Sequence, residues 1–156
     1  MKIVLIIVGK TKRNFLKEEI NEYVDRVSHY SQFEIIEISK LKISSKNSIV
    51  QTTIQEGKMI LKKVTNNDYV ILLDRIGKEL SSLKFANYLQ ECMMKHNRRL
   101  IFVIGGAYGF SDDVYQRADF KLSLSRMTFS HQMARLFFVE QLYRAYTILN
   151  NEPYHH

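Results

Sequence analysis

The stretch that most restricts the fold is Leu100–Ile104 (LIFVI), five consecutive apolar residues with no polar position alternating between them. A strand with one wet face alternates polar and apolar residues, whereas a central parallel strand is covered on both faces and reads as an unbroken apolar run. Residues 2–8 form a second β-branched apolar run of this kind and Tyr69–Leu73 (YVILL) a third. A sheet built from such strands needs helices on both sides, and the segments between them carry helical spacing. After the first strand, Phe15-Leu16, Ile20, Tyr23-Val24, Val27 and Tyr30 recur at that period. Phe33–Ile38 (FEIIEI) reads as another strand and Ser39–Asn47 as a lysine-rich loop. Val50, Ile54, Gly57, Leu61 and Val64 then share one helical face, with Ser48 a candidate cap.

The Tyr69–Leu73 strand is bounded by Asn66-Asn67-Asp68 before it and by Asp74 and Gly77 after it. Ser81 or Ser82 caps the next helix, which is expected to bury Leu83, Ala86, Leu89 and Met93. A short helix around Ser111–Arg117 leads to a fifth strand at Phe120–Leu124, and a long helix runs from about His131 to Leu149. The pattern predicts an α/β fold in which a mostly parallel sheet has helices on both faces. With no internal repeat and a single proline, Pro153, residues 1–156 are read as one domain. Ligands of such sheets bind where the strands end, which directs attention to the loops after Leu73, Ile104 and Leu124.

The last helix departs from the pattern. From Met133 to Leu149, 12 of 17 residues are apolar or aromatic, and they cover most of the helix circumference instead of one stripe. Its second apolar face calls for a second surface, and a homodimer through this helix is the preferred reading over a crevice within the same domain. Glu140 and Arg144, one turn apart on the least apolar side, either pair or leave Arg144 to face a ligand.

Composition narrows the function. One cysteine, Cys92, permits no intramolecular disulfide and no cysteine-based zinc site, which suits a cytoplasmic protein without a metal. No run approaches the roughly 20 apolar residues of a membrane helix. The N-terminal run is short and followed by Gly9-Lys10-Thr11-Lys12-Arg13, unlike a secretion signal. The formal charge of +7, with clusters at Lys10/Lys12/Arg13/Lys17, Lys40/Lys42/Lys46 and Lys58/Lys62/Lys63, points towards a nucleic-acid partner.

Two phosphate-binding motifs fail on spacing. Gly9-Lys10-Thr11 lacks the first glycine of a P-loop because position 4 is Val, and Gly105-Gly106-Ala107-Tyr108-Gly109 does not match the dinucleotide fingerprint. What the glycines do provide is a place where backbone can approach a ligand closely. Ser123–Thr128 is a small polar loop ending at a helix start, with Thr128 or Ser130 as cap. His131 and Arg135 stand one turn apart beyond it, and Tyr154, His155 and His156 follow Pro153 at the end.

Taken in order, FVIGGAYGF, LSLSRMTFSHQMAR and EQLYRAYTILNNEPYHH resemble the successive signatures of the ribosomal RNA large subunit methyltransferase H family, within the SPOUT methyltransferases. MKIVLIIVGK, EYVDRVSHY with FEIIEI, and ILLDRIGKELSS extend the resemblance over essentially the whole chain. It implies a C-terminal trefoil knot that binds S-adenosylmethionine, with Leu73, Gly105, Leu124, Ser125, Arg126, Met127, Thr128 and Phe129 as cofactor-binding positions. It also implies a homodimer that acts on 23S rRNA in the assembled ribosome and methylates N3 of a pseudouridine in the helix 69 loop. A sulfonium activates its own methyl group, so the remaining task is to hold N3 in line and weaken its proton. His155 with Tyr154 beside it is the first candidate for proton acceptor or orienting group, and Arg144 for anion or phosphate contacts; His131 and Arg135 come second. A non-catalytic basic RNA-binding or ribosome-associated factor is the alternative.

Overall fold

The computed structural model describes residues 1–42, 48–96 and 98–156, so the part of the expected lysine loop at 43–47, Lys46 included, lies outside the described residues. Five strands, β1 (Lys2–Val8), β2 (Gln32–Ile38), β3 (Tyr69–Glu79), β4 (Leu100–Ile104) and β5 (Phe120–Ser123), form one sheet in the order β2-β1-β4-β3-β5. Every neighbouring pair is parallel. Helices α1 (Asn14–Ser28), α2 (Ile49–Leu61), α3 (Ser82–Lys95), α4 (Asp112–Arg117) and α5 (His131–Leu149) make the connections.

The unbroken apolar runs are central strands, as their composition requires, and successive residues serve opposite faces. Ile3, Leu5, Ile7, Phe102 and Ile104 pack with residues of α1, α3 and α5, while Val4, Ile6, Val8, Ile101 and Val103 pack with Ile60 of α2 and Val114 of α4. Fully burying each such side chain stabilises the fold by about 1.5–3 kcal/mol before entropy is counted. Cys92 belongs to the larger of the two cores.

Three expectations are corrected. First, β3 does not stop before Asp74: after an irregularity between Leu73 and Lys78 it resumes pairing with β5, Lys78 opposite Leu122 and Glu79 opposite Ser123. Gly77 permits this, since a Cβ there would lie 2.7 Å from backbone atoms of Lys121 and Leu122. Second, α3 turns Phe85, Ala86, Leu89 and Cys92 inward, leaving Leu83 exposed and Met93 packed only at the core edge. Third, α2 buries Thr52, Glu56, Gly57 and Ile60, while Val50 and Ile54 are 67% and 42% exposed. Two of the buried positions are polar, so apolar periodicity selected a face rotated away from the true one. The expected Ser48 cap is present as a capping box, its hydroxyl accepting from the Gln51 amide and the Gln51 side chain accepting from the Ser48 amide.

Helix α5 lies against α1, α3 and β4, burying Phe138, Val139, Leu142, Ala145 and Tyr146. Its own domain thus covers much of the circumference, and the outward strip is Met133, Phe137, Gln141 and Arg144, none of them buried.

One buried ion pair ties the sheet's N-terminal edge. Asp68, 3% exposed, accepts from Arg99 Nε at 2.8 Å and Nη2 at 2.7 Å, and from the Thr65 amide and hydroxyl. Burial alone would raise the carboxyl pKa, but these hydrogen bonds and the Arg99 charge leave it below its ordinary value. A folded-state pKa depressed below the unfolded one gives stability that is present above the unfolded value and lost as pH falls through the folded one. Because Arg99 is partly exposed, Asp68→Ala is expected to cost about 1–3 kcal/mol at neutral pH, the loss of charge-assisted hydrogen bonds. In chemical denaturation the difference from wild type should shrink as the pH is taken below 4.

Candidate cofactor site

In the sheet order, β4, β3 and β5 are consecutive, with Leu73 opposite both Ile104 and Leu122. The irregular stretch of β3 beyond Leu73 and the C-terminal ends of β4 and β5 therefore converge, and they enclose a cleft of about 580 Å³. Three segments and Tyr115 of α4 line it: Leu73–Ile76 from β3, Ile104–Phe110 from the end of β4 and the loop after it, and the stretch from Ser123 at the end of β5 up to His131 and Ala134 of α5.

Each wall has a local cause. Ser123 Oγ donates to the Ser125 carbonyl at 3.0 Å, and Ser125 Oγ accepts from the Met127 amide at 2.9 Å, so the serine-rich loop folds on itself. Ser130, not Thr128, caps α5, accepting from the Met133 amide at 3.2 Å. Gly105 packs so closely that a Cβ would lie 2.9 Å from the Phe110 ring. Asp74 accepts from the Ile76 amide at 3.1 Å and from the Tyr115 hydroxyl. Burial, and then this bond to Asp74, push the Tyr115 phenol up to about 12, so it remains the donor.

Seven of the eight expected cofactor positions line this cleft: Leu73, Gly105, Leu124, Ser125, Met127, Thr128 and Phe129. Arg126 instead turns outward and pairs with Glu79 at 2.7 Å. The Asp74–Tyr115 pair escaped the sequence reading because its partners are far apart in the chain. Only Asp74's place after a strand end signalled it.

His131 and Arg135 separate in role. Arg135 is 1% exposed and donates to Thr11 Oγ1 at 3.1 Å and to the Val8 carbonyl at 2.8 Å, tying the start of α5 to the end of β1. Gln132 reinforces the tie, donating to the Lys10 carbonyl and accepting from the Lys12 amide. His131 lines the cleft. Burial, and then the cations Arg135, Lys40 and Lys12, lower its pKa, so its imidazole is uncharged at neutral pH.

Arg144, Tyr154 and His155 form a second cluster, and none of them lines the cleft. Past Leu149 the chain reverses at Asn151, in the left-handed region with φ 55°, which asparagine tolerates and helix ends favour. Glu152 then accepts from the Tyr30 hydroxyl at 2.7 and 2.8 Å, and Tyr154 places its hydroxyl 3.2 Å from that of Tyr23 and 3.2 Å from Glu140. Arg144 pairs with Glu140 at 2.6 Å, lies 4.7 Å from the Tyr154 ring centroid, and reaches His155 Nδ1 at 3.5 Å. The pairing expected for Arg144 is present: its Nε and Nη2 donate to Glu140, and its Nη1 lies at the chain end beside His155. From His131 to Arg144 is about 20 Å along the helix axis, so the cluster and the cleft of one chain sit at opposite ends of α5.

No described helix is long and apolar enough to cross a membrane, and no group of three or more potential metal ligands occurs among the described residues. Residues 1–155 match the family described as Predicted SPOUT methyltransferase. Proteins called ribosomal RNA large subunit methyltransferase H are similar over the full chain. That of Parabacteroides distasonis is 53% identical, covering 100% of this chain and 99% of the relative. The proteins of Christiangramia forsetii and Flavobacterium psychrophilum are 54% and 51% identical, with the same coverage. A parallel α/β sheet with its cleft at the C-terminal strand ends, and a match that runs the length of the chain, place this protein in the SPOUT methyltransferases, within the ribosomal RNA large subunit methyltransferase H family.

Proposed function

We propose that the protein transfers a methyl group from S-adenosylmethionine to N3 of a pseudouridine in the helix 69 loop of 23S rRNA, acting in the cytoplasm as a homodimer on assembled ribosomes. The observation that carries the reading is the cleft after β4, β3 and β5, to which seven of the eight expected positions contribute. Its volume of about 580 Å³ lies in the range of small-molecule sites. The cofactor, when bound, supplies a methyl group already activated on a cationic sulfur. Gly105 and the Leu124–Phe129 loop would hold it by backbone contact, and Asp74, the one carboxylate among the described lining residues, complements its positive charge. The loops surrounding this cleft are also where we infer the trefoil knot to lie.

N3 of a pseudouridine carries an imide proton that must leave as the new bond forms, and a positioned side chain that accepts it suits that task. His155, oriented by Arg144 and Tyr154, is the acceptor we assign. The separation along α5 supports a reading in which it serves the cleft of the partner copy, with the outward strip of α5 as the surface at which two copies meet. The exposed cations Lys10, Lys12, Arg13, Lys17, Lys58, Lys62 and Lys63 suit the rRNA phosphates.

Calorimetric titration with S-adenosylmethionine, followed by mapping of the methyl group on ribosomes that lack it, tests the reading. We expect cofactor binding and a single methylated pseudouridine. Salt-dependent RNA binding with no cofactor affinity would instead identify a non-catalytic basic platform.

A further inference from the structure

A second cavity, of about 520 Å³, shares the glycine loop with the cofactor cleft. Its described lining is Lys40, Leu41 and Lys42 after β2, Thr52 and Glu56 of α2, and Ala107 and Tyr108, two residues that also line the cofactor cleft. Three features of it serve nothing derived above. Thr52 is 3% exposed and its Oγ1 has no hydrogen-bond partner among the described residues. Glu56 is 8% exposed, packed so tightly under the loop that a Cβ on Gly106 would lie 2.8 Å from its Oε2. Tyr108, 55% exposed, presents an aromatic ring beside two lysines.

Folding gains nothing from the Thr52 hydroxyl held this way. A buried hydroxyl without a partner costs about 1–3 kcal/mol. Burial raises the Glu56 carboxyl above its ordinary pKa against the opposing pull of Lys40. A buried hydroxyl left without a partner calls for an explanation, and a bound ligand that completes it is one. The ligand's chemistry follows from the walls: cations for phosphate, an aromatic face for stacking, and a buried hydroxyl and carboxyl for a polar edge. That combination fits a nucleotide, and unpaired RNA loops offer nucleotides whose bases can be splayed out and read individually.

We propose that this cavity holds one unstacked nucleotide of the RNA loop next to the methylated one, its base on Tyr108, its polar edge towards Thr52 and Glu56, and its phosphates at Lys40 and Lys42. The assignment rests on the reading of the protein as an RNA methyltransferase. A carboxyl and a hydroxyl that accept hydrogen bonds favour a base with an exocyclic amino group. Because Ala107 and Tyr108 belong to both cavities, filling this one also sets the loop that bounds the cofactor cleft.

Full-length wild type, Thr52→Val and Lys42→Ala are compared on ribosomes lacking the modification, with KM, kcat, cofactor affinity and melting temperature all measured. Thr52→Val should raise KM for ribosomes roughly 3–10-fold, the effect of one neutral hydrogen bond. Its cofactor affinity should be unchanged and its melting temperature equal or higher, since the hydroxyl has no partner to lose. Lys42→Ala should flatten the salt dependence of KM by a slope of about one. If both variants keep wild-type KM and salt slope, or if KM rises only in step with a fall in melting temperature, the subsite does not exist. Should wild type prove to transfer no methyl group, the failure lies with the proposed function. Fluorescence titration of a hairpin RNA with the same variants then decides the subsite: weaker binding upholds it and equal binding overturns it.

Discussion

Removing the His155 imidazole is expected to lower methyl transfer about 100-fold or more, the usual contribution of a positioned acid–base group, while cofactor affinity stays at the wild-type value. His155 reaches the rest of the cluster through Arg144 at 3.5 Å and lies outside both cores, so His155→Ala should fold and melt as wild type does. Arg144→Ala should reduce transfer by a similar factor. It leaves Glu140 without its ion-pair partner and takes from Tyr154 the cation over its ring. Single-turnover rates on unmodified ribosomes measure both effects, and undiminished rates with intact cofactor binding would sink the assignment.

The stronger test uses the arrangement of α5. If the chain end of one copy completes the cleft of the other, a dimer of one His155→Ala copy and one cofactor-defective copy holds one complete site: the intact cleft of the first with the intact chain end of the second. Random pairing makes half of the dimers mixed, so co-expression should restore roughly a quarter of wild-type activity. If cleft and chain end of the same copy acted together, co-expression would restore none.

Gly105→Val supplies the cofactor-defective copy. The new Cβ would lie 2.9 Å from the Phe110 ring, on a residue that lines the cleft, and its methyl groups would press further into the ring or into the ligand space. Overpacking of this kind costs about 1–3 kcal/mol of stability, which the two-sided core should tolerate. Binding depends on the close backbone approach that only glycine allows, so calorimetry should detect no S-adenosylmethionine affinity, and transfer should vanish with it. Retained affinity would place the cofactor away from this loop.

The parts of the molecule legible in sequence share one physical property, that a local pattern suffices to specify them. LIFVI, YVILL and the N-terminal run become central strands because their aliphatic residues are buried on both faces of the sheet. Ser48, Ser81 and Ser130 cap helices because a hydroxyl at that position reaches the free amides two or three residues on. The face of α2 was misread for the complementary reason: Thr52 and Glu56 are buried, and a polar residue gives periodicity no sign that it points inward. The extension of β3 past Asp74 was invisible as well, since it depends on Gly77 meeting the backbone of Lys121 and Leu122, a contact between segments more than 40 residues apart.

The candidate site divides along the same line. Leu73, Gly105 and the Leu124–Phe129 loop were legible because each ends or follows an apolar run, and parallel strands aligned in one register bring these positions together. The outward turn of Arg126, the Asp74–Tyr115 bond, the placing of His131 in the cleft and Arg135 in the core, and the fold of the chain end onto Tyr23 and Tyr30 belong to the tertiary structure alone. By itself the sequence determined the layers of the fold, the strands whose loops enclose the cleft and the family. The tertiary structure decided which polar side chains face the cleft, which face each other and which lie buried without a partner. The physical reason is that burial of apolar surface is proportional to area and is written in residue type, whereas a hydrogen bond exists only when two particular atoms come within about 3 Å.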